Sequence, residues 1–387
     1  MAGLTERYEL LKRYTTNPLV IKAVLGYTQN KFTPKSRNSH FLSFPLPDES
    51  YVSSWAKYEE ESEKNGVFST LKSYLPQLQF PIKQGISLSD EYRAATLSGT
   101  TMNNKASQAG LILNDAESLT LQIHQSIAGK IPVLTTANDD DFCSLIQALS
   151  HKNEPVVIPK SMGAALIKGI NNWGRIKALR QKWQMENPFG NWKATFSSVV
   201  LPQKSNYQDN IIILSRKPYS GVSSQQLGIP NEQWLAQSME IRLAHECTHL
   251  FTLRYYGHMA NNMHDELLAD YMGITEVLGK FNADWFLKFI GLERYPQYRA
   301  GARLENYLGK PPMAAEALEI LKTILVKATK HVALFDEHVG TPSDMMDKVQ
   351  RLLSLCSMDL VEMSSEQGTE RLIAAYNSMQ INVLSNG

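Results

Sequence analysis

The clearest periodicity in the chain lies in its second half, where apolar residues recur every three to four positions. Trp234, Ile241, Ala244, Leu250 and Phe251 form one such stripe. Its segment opens at Ile229-Pro230-Asn231-Glu232 and stops at Gly257. Proline and an acidic residue suit the first turn of a helix, and glycine suits its C-terminal end. The pattern therefore predicts one helix of about seven turns. A loop-like Ala260-Asn261-Asn262-Met263 follows, and helical periodicity resumes from His264 through Leu278. Ala314, Ala317, Leu318, Leu321, Ile324, Leu325 and Ala328 give another 3.6-residue stripe. Met346, Val349, Leu352, Leu353 and Cys356 line a further helix, predicted to start at Thr341-Pro342-Ser343-Asp344 with proline in the first helical position.

Between about 111 and 220 the pattern alternates between elements. It predicts helix over 119–127, strand over 131–136, helix over 139–150, a short strand over 155–159, helix over 162–184, and strands over 194–201 and 210–215. Five cations in the third of these helices, Lys168, Arg175, Lys177, Arg180 and Lys182, spread around its circumference and read as a solvated face. Residues 1–110 are less regular. Short helices are expected at 8–14 and 18–25, a loop at 37–49, a charged, exposed helix at 50–64, and a polar linker at 98–108. Gly99-Thr100-Thr101 lacks the Gly-Lys-Ser/Thr ending of a phosphate loop and reads as a turn. No internal repeat is visible.

The long predicted helix carries the chemistry. His245-Glu246-Cys247-Thr248-His249 reads His-Glu-x-x-His. Residues four apart share a helix face, so the two imidazoles can hold one metal ion, and Glu246 beside them can accept a proton from a water that the metal activates. On the next helix Glu266 and Asp270 are also four apart. Glu266 can supply a third ligand, and Asp270 can take the free ring N–H of a ligand histidine and fix its tautomer. His258, His264 and Asp265 are rival third ligands. Cys143, Cys247 and Cys356 are too few and too scattered for a disulfide framework, and Cys247 and Cys356 read as packing residues.

Composition narrows the class. At 387 residues and 43% hydrophobic content the chain can build a large core, with two or three domains expected. The 39 basic and 38 acidic residues leave a net charge of +1, which gives no general attraction to nucleic acid or to an anionic membrane. No apolar run approaches a membrane span. The first residues, Met1-Ala2-Gly3-Leu4-Thr5-Glu6-Arg7, lack an apolar signal core, so a cytoplasmic protein is expected.

His245, Glu246, His249, Glu266 and Asp270 together resemble the gluzincins, zinc metallopeptidases that combine His-Glu-x-x-His on one helix with Glu-x-x-x-Asp on the next. The likeness covers about a tenth of the chain. The sixteen-residue spacer between His249 and Glu266 is shorter than in several gluzincin families. A metzincin pattern is excluded, because its third histidine would fall on Tyr255 and its glycine on Thr252. A peptide-deformylase pattern fails because the neighbours of Cys143 do not match it. The resemblance implies an α+β zincin-like catalytic domain, with Zn²⁺ on His245, His249 and Glu266, and hydrolysis of a peptide amide bond. It divides the chain into an N-terminal region (1–110), a zincin-like α/β part with the metal-binding helices (111–280), and a helical C-terminal subdomain (281–387). It implies a substrate-pairing sheet edge, for which 210–215 is the candidate. It also implies an oxyanion donor downstream of the third ligand, with Tyr298, Arg299, Arg303, Tyr307 and His331 as candidates. A peptide or protein is the expected partner, with neither nucleic acid nor membrane. Another amidase or a peptide-tailoring enzyme would use the same residues, and a binding protein would close the zinc with a fourth protein ligand.

Overall fold

Two helices open the chain in the computed structural model: α1 (Leu4–Lys12) and α2 (Pro18–Tyr27), the second capped by the Asn17 side chain. The structure describes residues 3–33, 43–100, 110–309 and 311–384, with side chains through Met379. Parts of the expected loop at 37–49 and most of the expected linker at 98–108 lie outside the described residues. Next come α3 (Val52–Asn65), α4 (Val67–Tyr74) and α5 (Asp90–Ser98). They lead into β1 (Thr120–Ser126), β2 (Gly129–Thr136), α6 (Asp139–Ser150), β3 (Ala164–Asn171), α7 (Trp173–Glu186), α8 (Trp192–Thr195) and β4 (Gln208–Ser215). The rest is helical: α9 (Ser224–Leu227), α10 (Asn231–Tyr256), α11 (Met263–Leu278), α12 (Ala283–Ile290), α13 (Ala315–Val339), α14 (Met345–Cys356), α15 (Leu360–Met363) and α16 (Gly368–Leu384).

The architecture is α+β and falls into two compact units, Met1–Leu46 with Pro218–Gly387, and Pro47–Lys217. These boundaries differ from the expected ones at 110 and 280. The first forty-six residues join the unit that carries the His-Glu-x-x-His helix, and the sheet belongs wholly to the other unit.

In the Pro47–Lys217 unit the strands run in the order β1-β2-β4-β3. β1 and β2 form an antiparallel hairpin, β2 and β4 are parallel, and β4 and β3 are antiparallel. Trp55 and Tyr58 of α3, Phe142, Leu145 and Leu149 of α6, and Ile211 and Ile213 of β4 share its apolar core. Asp209, fully buried, receives the indole N–H of Trp55, the Asn172 amide and an ion pair from Arg175. A buried carboxylate with that many donors ties α3, α7 and β4 together.

Several sequence expectations fail in this unit. The segment 119–127 carries strand β1 (Thr120–Ser126) rather than a helix, because Leu121 and Ile123 alternate with polar residues and β2 pairs with them. The first half of 162–184 is β3, drawn into strand by pairing with β4 in spite of its Ala-Ala-Leu-Ile helix preference. Residues 194–201 are β-branched-rich but helical: α8 is capped by Asn191 and runs on into a wider helical turn, Phe196–Val200. Residues 155–159 form no strand. β4 is paired on both sides, so 210–215 is no free sheet edge for an extended substrate. Charged α3 is not wholly exposed, since Trp55 is completely buried.

The first unit follows its apolar stripes closely. α10 ends in a left-handed Gly257, as the pattern predicts, and α13 buries Ala317, Leu321, Ile324, Leu325 and Ala328. α14 starts later than expected: Asp344, whose carboxylate accepts from Asp347 N, is its cap, and Pro342 lies outside it. Cys356 is fully buried and Cys247 nearly so, and neither is in a disulfide. The N-terminal helices pack into this unit through Arg7, which pairs with Asp359 at 2.6 Å. Tyr27 accepts from Met263 N and Asn262 Nδ2, at the first turn of α11.

Candidate metal centre

Two helices, the loop at Tyr219–Gly221 and the turn Arg303–Tyr307 build the site. α10 brings His245, Glu246 and His249, all less than a tenth exposed. α11 brings Asp265, Glu266 and Asp270, likewise buried. The two helices meet closely because position 273 is glycine. A Cβ there would lie 2.8 Å from the Ile241 carbonyl oxygen. At that approach the carboxylates of one helix reach the imidazoles of the other.

The imidazoles are oriented from behind. Asp270 Oδ1 hydrogen-bonds His245 Nδ1 at 2.8 Å, whereas Asp265 Oδ1 faces His249 Nδ1 at 3.3 Å as an ion-pair contact without hydrogen-bond geometry. Asp265 is itself held by the Ala260 and Asn261 amides, which donate to its other oxygen. With each Nδ1 facing a carboxylate, each Nε2 is turned inward. The two Nε2 atoms are 3.0 Å apart, and Glu266 reaches to 3.6 Å from one and 3.4 Å from the other. If both Nδ1 atoms carry their protons, the two Nε2 lone pairs face each other, and a proton or a metal ion between them relieves the repulsion. Glu266 Oε2 is buried with no hydrogen-bond partner, a costly state for a carboxylate that a metal would relieve. His245, His249 and Glu266 can therefore hold a metal ion, and their ligand atoms all lie within 4.8 Å of one another.

The electrostatics favour positive charge. Burial opposes ionisation of Glu266, but His245, His249 and Arg303 outweigh it and hold the carboxyl below its usual range. Burial is likewise overcome at Asp270, mainly by Arg303 and His245, and its pKa falls to about 2. Burial would lower His249, yet Asp265 and Glu266 raise it well above an ordinary imidazole. Glu246 is buried one residue along from His245, about 100° around the helix.

The loop contribution was not legible in the sequence. Tyr219 lies in Pro218-Tyr219-Ser220-Gly221, which reads as an ordinary turn. Its hydroxyl donates to Asp270 Oδ1 at 2.6 Å, stands 2.9 Å from His245 Nδ1, and accepts from Arg303 at 2.6 Å. The loop is pinned to α10: Ser238 Oγ accepts from Tyr219 N, and Arg242 donates to the Pro218 carbonyl. Arg242 and Arg303 both stand over the Tyr219 ring.

Of the five downstream candidates, Arg303 and Tyr307 reach the site. Arg303 pairs with Asp270 and its Nε lies 3.8 Å from Glu266. Tyr307 lies near Glu266, and burial first, then that carboxylate's charge, raises its pKa. The other three are engaged elsewhere. Tyr298 donates to the Ala302 carbonyl, Arg299 pairs with Glu293, and His331 is bonded to Thr369. The rival ligands are also accounted for. His258 bonds the Lys31 carbonyl and His264 packs on Phe32, while Asp265 stands behind His249 as an orienting carboxylate.

The chain belongs to a family of unknown function, DUF7005, whose model matches residues 9–367. No curated protein and no solved structure matches it.

Proposed function

We propose that this DUF7005 chain is a zinc-dependent hydrolase that cleaves an amide bond, most simply a peptide. The observation that carries the reading is the pair of inward Nε2 atoms facing Glu266, each imidazole backed by its own carboxylate. Among the described residues the group has three members, the pattern of a catalytic zinc with one position open rather than a structural zinc closed by four. Zinc held by His245, His249 and Glu266 would supply a Lewis acid that polarises a carbonyl and lowers the pKa of a water towards about 7. Glu246 accepts the proton as the water attacks, and delivers it to the leaving nitrogen. Arg303, a cation beside Glu266, stabilises the negative charge that develops on the carbonyl oxygen. Asp270, Asp265 and Tyr219 orient the ligands and do not touch substrate.

The same residues serve any amide carbonyl. Preference for a peptide rests on the gluzincin resemblance, and fully paired β4 gives it no help. The test starts from protein purified without added metal, which should contain close to one zinc per chain. His245→Ala and His249→Ala should lose it. Glu246→Gln should keep the zinc and lose hydrolysis of a peptide library by at least about a hundredfold. A protein that carries no zinc and takes none up on titration sinks the metal reading. Loss of zinc from Glu246→Gln would make that residue a ligand and overturn the mechanism.

A further inference from the structure

Away from the metal centre, the most conspicuous unexplained feature is the hairpin of α7 and α8. α7 buries only Arg175 and Ile176 of its fourteen residues. Every residue from 177 to 182 is exposed. The chain then turns back through 187–191, presenting Met185 at 77% exposure and Phe189 at 103%. Trp183 and Trp192 close the neck of the hairpin, with ring centroids 5.5 Å apart. Gly190 packs so tightly that a Cβ would come within 2.3 Å of the Trp183 ring. The tip therefore has a defined shape. Around it stand Lys177, Arg180, Lys182 and Lys193, all exposed, against a single exposed acid, Glu186. In a chain with 39 basic and 38 acidic residues, that is a local excess.

Large apolar side chains held out in water on a shaped tip, ringed by cations, match the surface of an anionic bilayer. Apolar groups enter the boundary between headgroups and acyl chains, while lysine and arginine meet the phosphates. A nucleic acid would call for open aromatic faces on which bases stack. Here the two tryptophans pack on each other, Met185 offers no such face, and Phe189 is a single exposed ring with no second ring beside it, among the described residues, to stack successive bases. The cations lie all around α7 rather than along one side, which suits a hairpin that meets the surface end-on. We propose that the α7–α8 hairpin is a peripheral membrane contact: Met185 and Phe189 enter a bilayer bearing anionic lipid, and Lys177, Arg180, Lys182 and Lys193 bind its headgroups. This departs from the sequence expectation of no membrane partner. It needs no spanning segment, and among the described residues no helix is long and apolar enough to cross a membrane.

Vesicle flotation of the full chain tests it, with phosphatidylcholine alone and with phosphatidylcholine mixed with phosphatidylserine. The wild type should float with the mixed vesicles, less so as salt rises, and stay behind with phosphatidylcholine. Met185→Ser with Phe189→Ser should weaken flotation at least about tenfold. Lys177→Gln, Arg180→Gln, Lys182→Gln and Lys193→Gln together should weaken it at least about a hundredfold. All six positions are exposed, so melting curves should match the wild type and certify the fold. No flotation with either vesicle overturns the proposal. So does flotation that survives loss of the apolar tip while heparin binding tracks the cations, which would mark a site for a soluble polyanion.

Discussion

At the scale of single residues, the site is defined by what stands behind the histidines. Asp270 and Asp265 each face one Nδ1, so each should contribute to metal affinity by holding a tautomer. Asp270→Ala and Asp265→Ala should each weaken zinc by about 10–100-fold, measured by competition with a chromogenic chelator. Asp270 is backed by Tyr219 and Arg303 as well, so its loss strands two partners, and it should be the costlier of the two. Equal affinity in wild type and both variants would show that the imidazoles need no orienting carboxylate. Glu246 was legible because its place in His-Glu-x-x-His is set by local spacing. Tyr219 was not, since nothing in a Pro-Tyr-Ser-Gly turn points to a histidine twenty-six positions on.

At the scale of elements, the candidate metal centre is the seam between α10 and α11. Gly273 sets how near they come, against the backbone of Ile241. Gly273→Ala places a methyl group where a carbonyl oxygen cannot move aside without bending α10. It should destabilise the fold by about 1–3 kcal/mol, as overpacking does. It should also lower zinc affinity by moving Glu266 away from the two Nε2 atoms. Urea unfolding and zinc titration of the same sample check both effects. A variant as stable as wild type with unchanged affinity would show that the seam is not close-packed there. Element prediction succeeded where a long apolar stripe and its caps agreed, as in α10, α11 and α13. It failed in 119–127, 162–171 and 194–201, where a short segment's own preference was outweighed by pairing or by a local cap.

At the scale of the molecule, the ligands come from helices that have no reason to meet in the unfolded chain. A metal held by them would therefore be coupled to folding of this unit. Zinc at a thousand times its dissociation constant should add about 4 kcal/mol of stability, and a strong chelator should remove it. Scanning calorimetry with and without chelator measures the shift, and His249→Ala should abolish it. A melting temperature indifferent to zinc and chelator would count against a bound ion in the native state. The first forty-six residues share in this unit. Tyr27 meets the start of α11, and Phe32 packs on His264, which burial holds neutral with a pKa near 4.

By itself, the sequence determined what local periodicity can encode. It placed His245, Glu246 and His249 on one long helix and Glu266 and Asp270 on the next, because i to i+4 spacing is a property of the helix alone. It also assigned Cys356 to packing and anticipated an α+β chain. Tertiary structure alone decided everything that joins distant segments. It chose Arg303 and Tyr307 over Tyr298, Arg299 and His331, brought Tyr219 to the ligands, and made β4 an inner strand. It turned Asp265 from rival ligand into orienting carboxylate, and moved the unit boundaries to 46 and 217. These outcomes depend on which surfaces pack together, and a linear pattern carries no term for contacts between residues that are far apart along the chain.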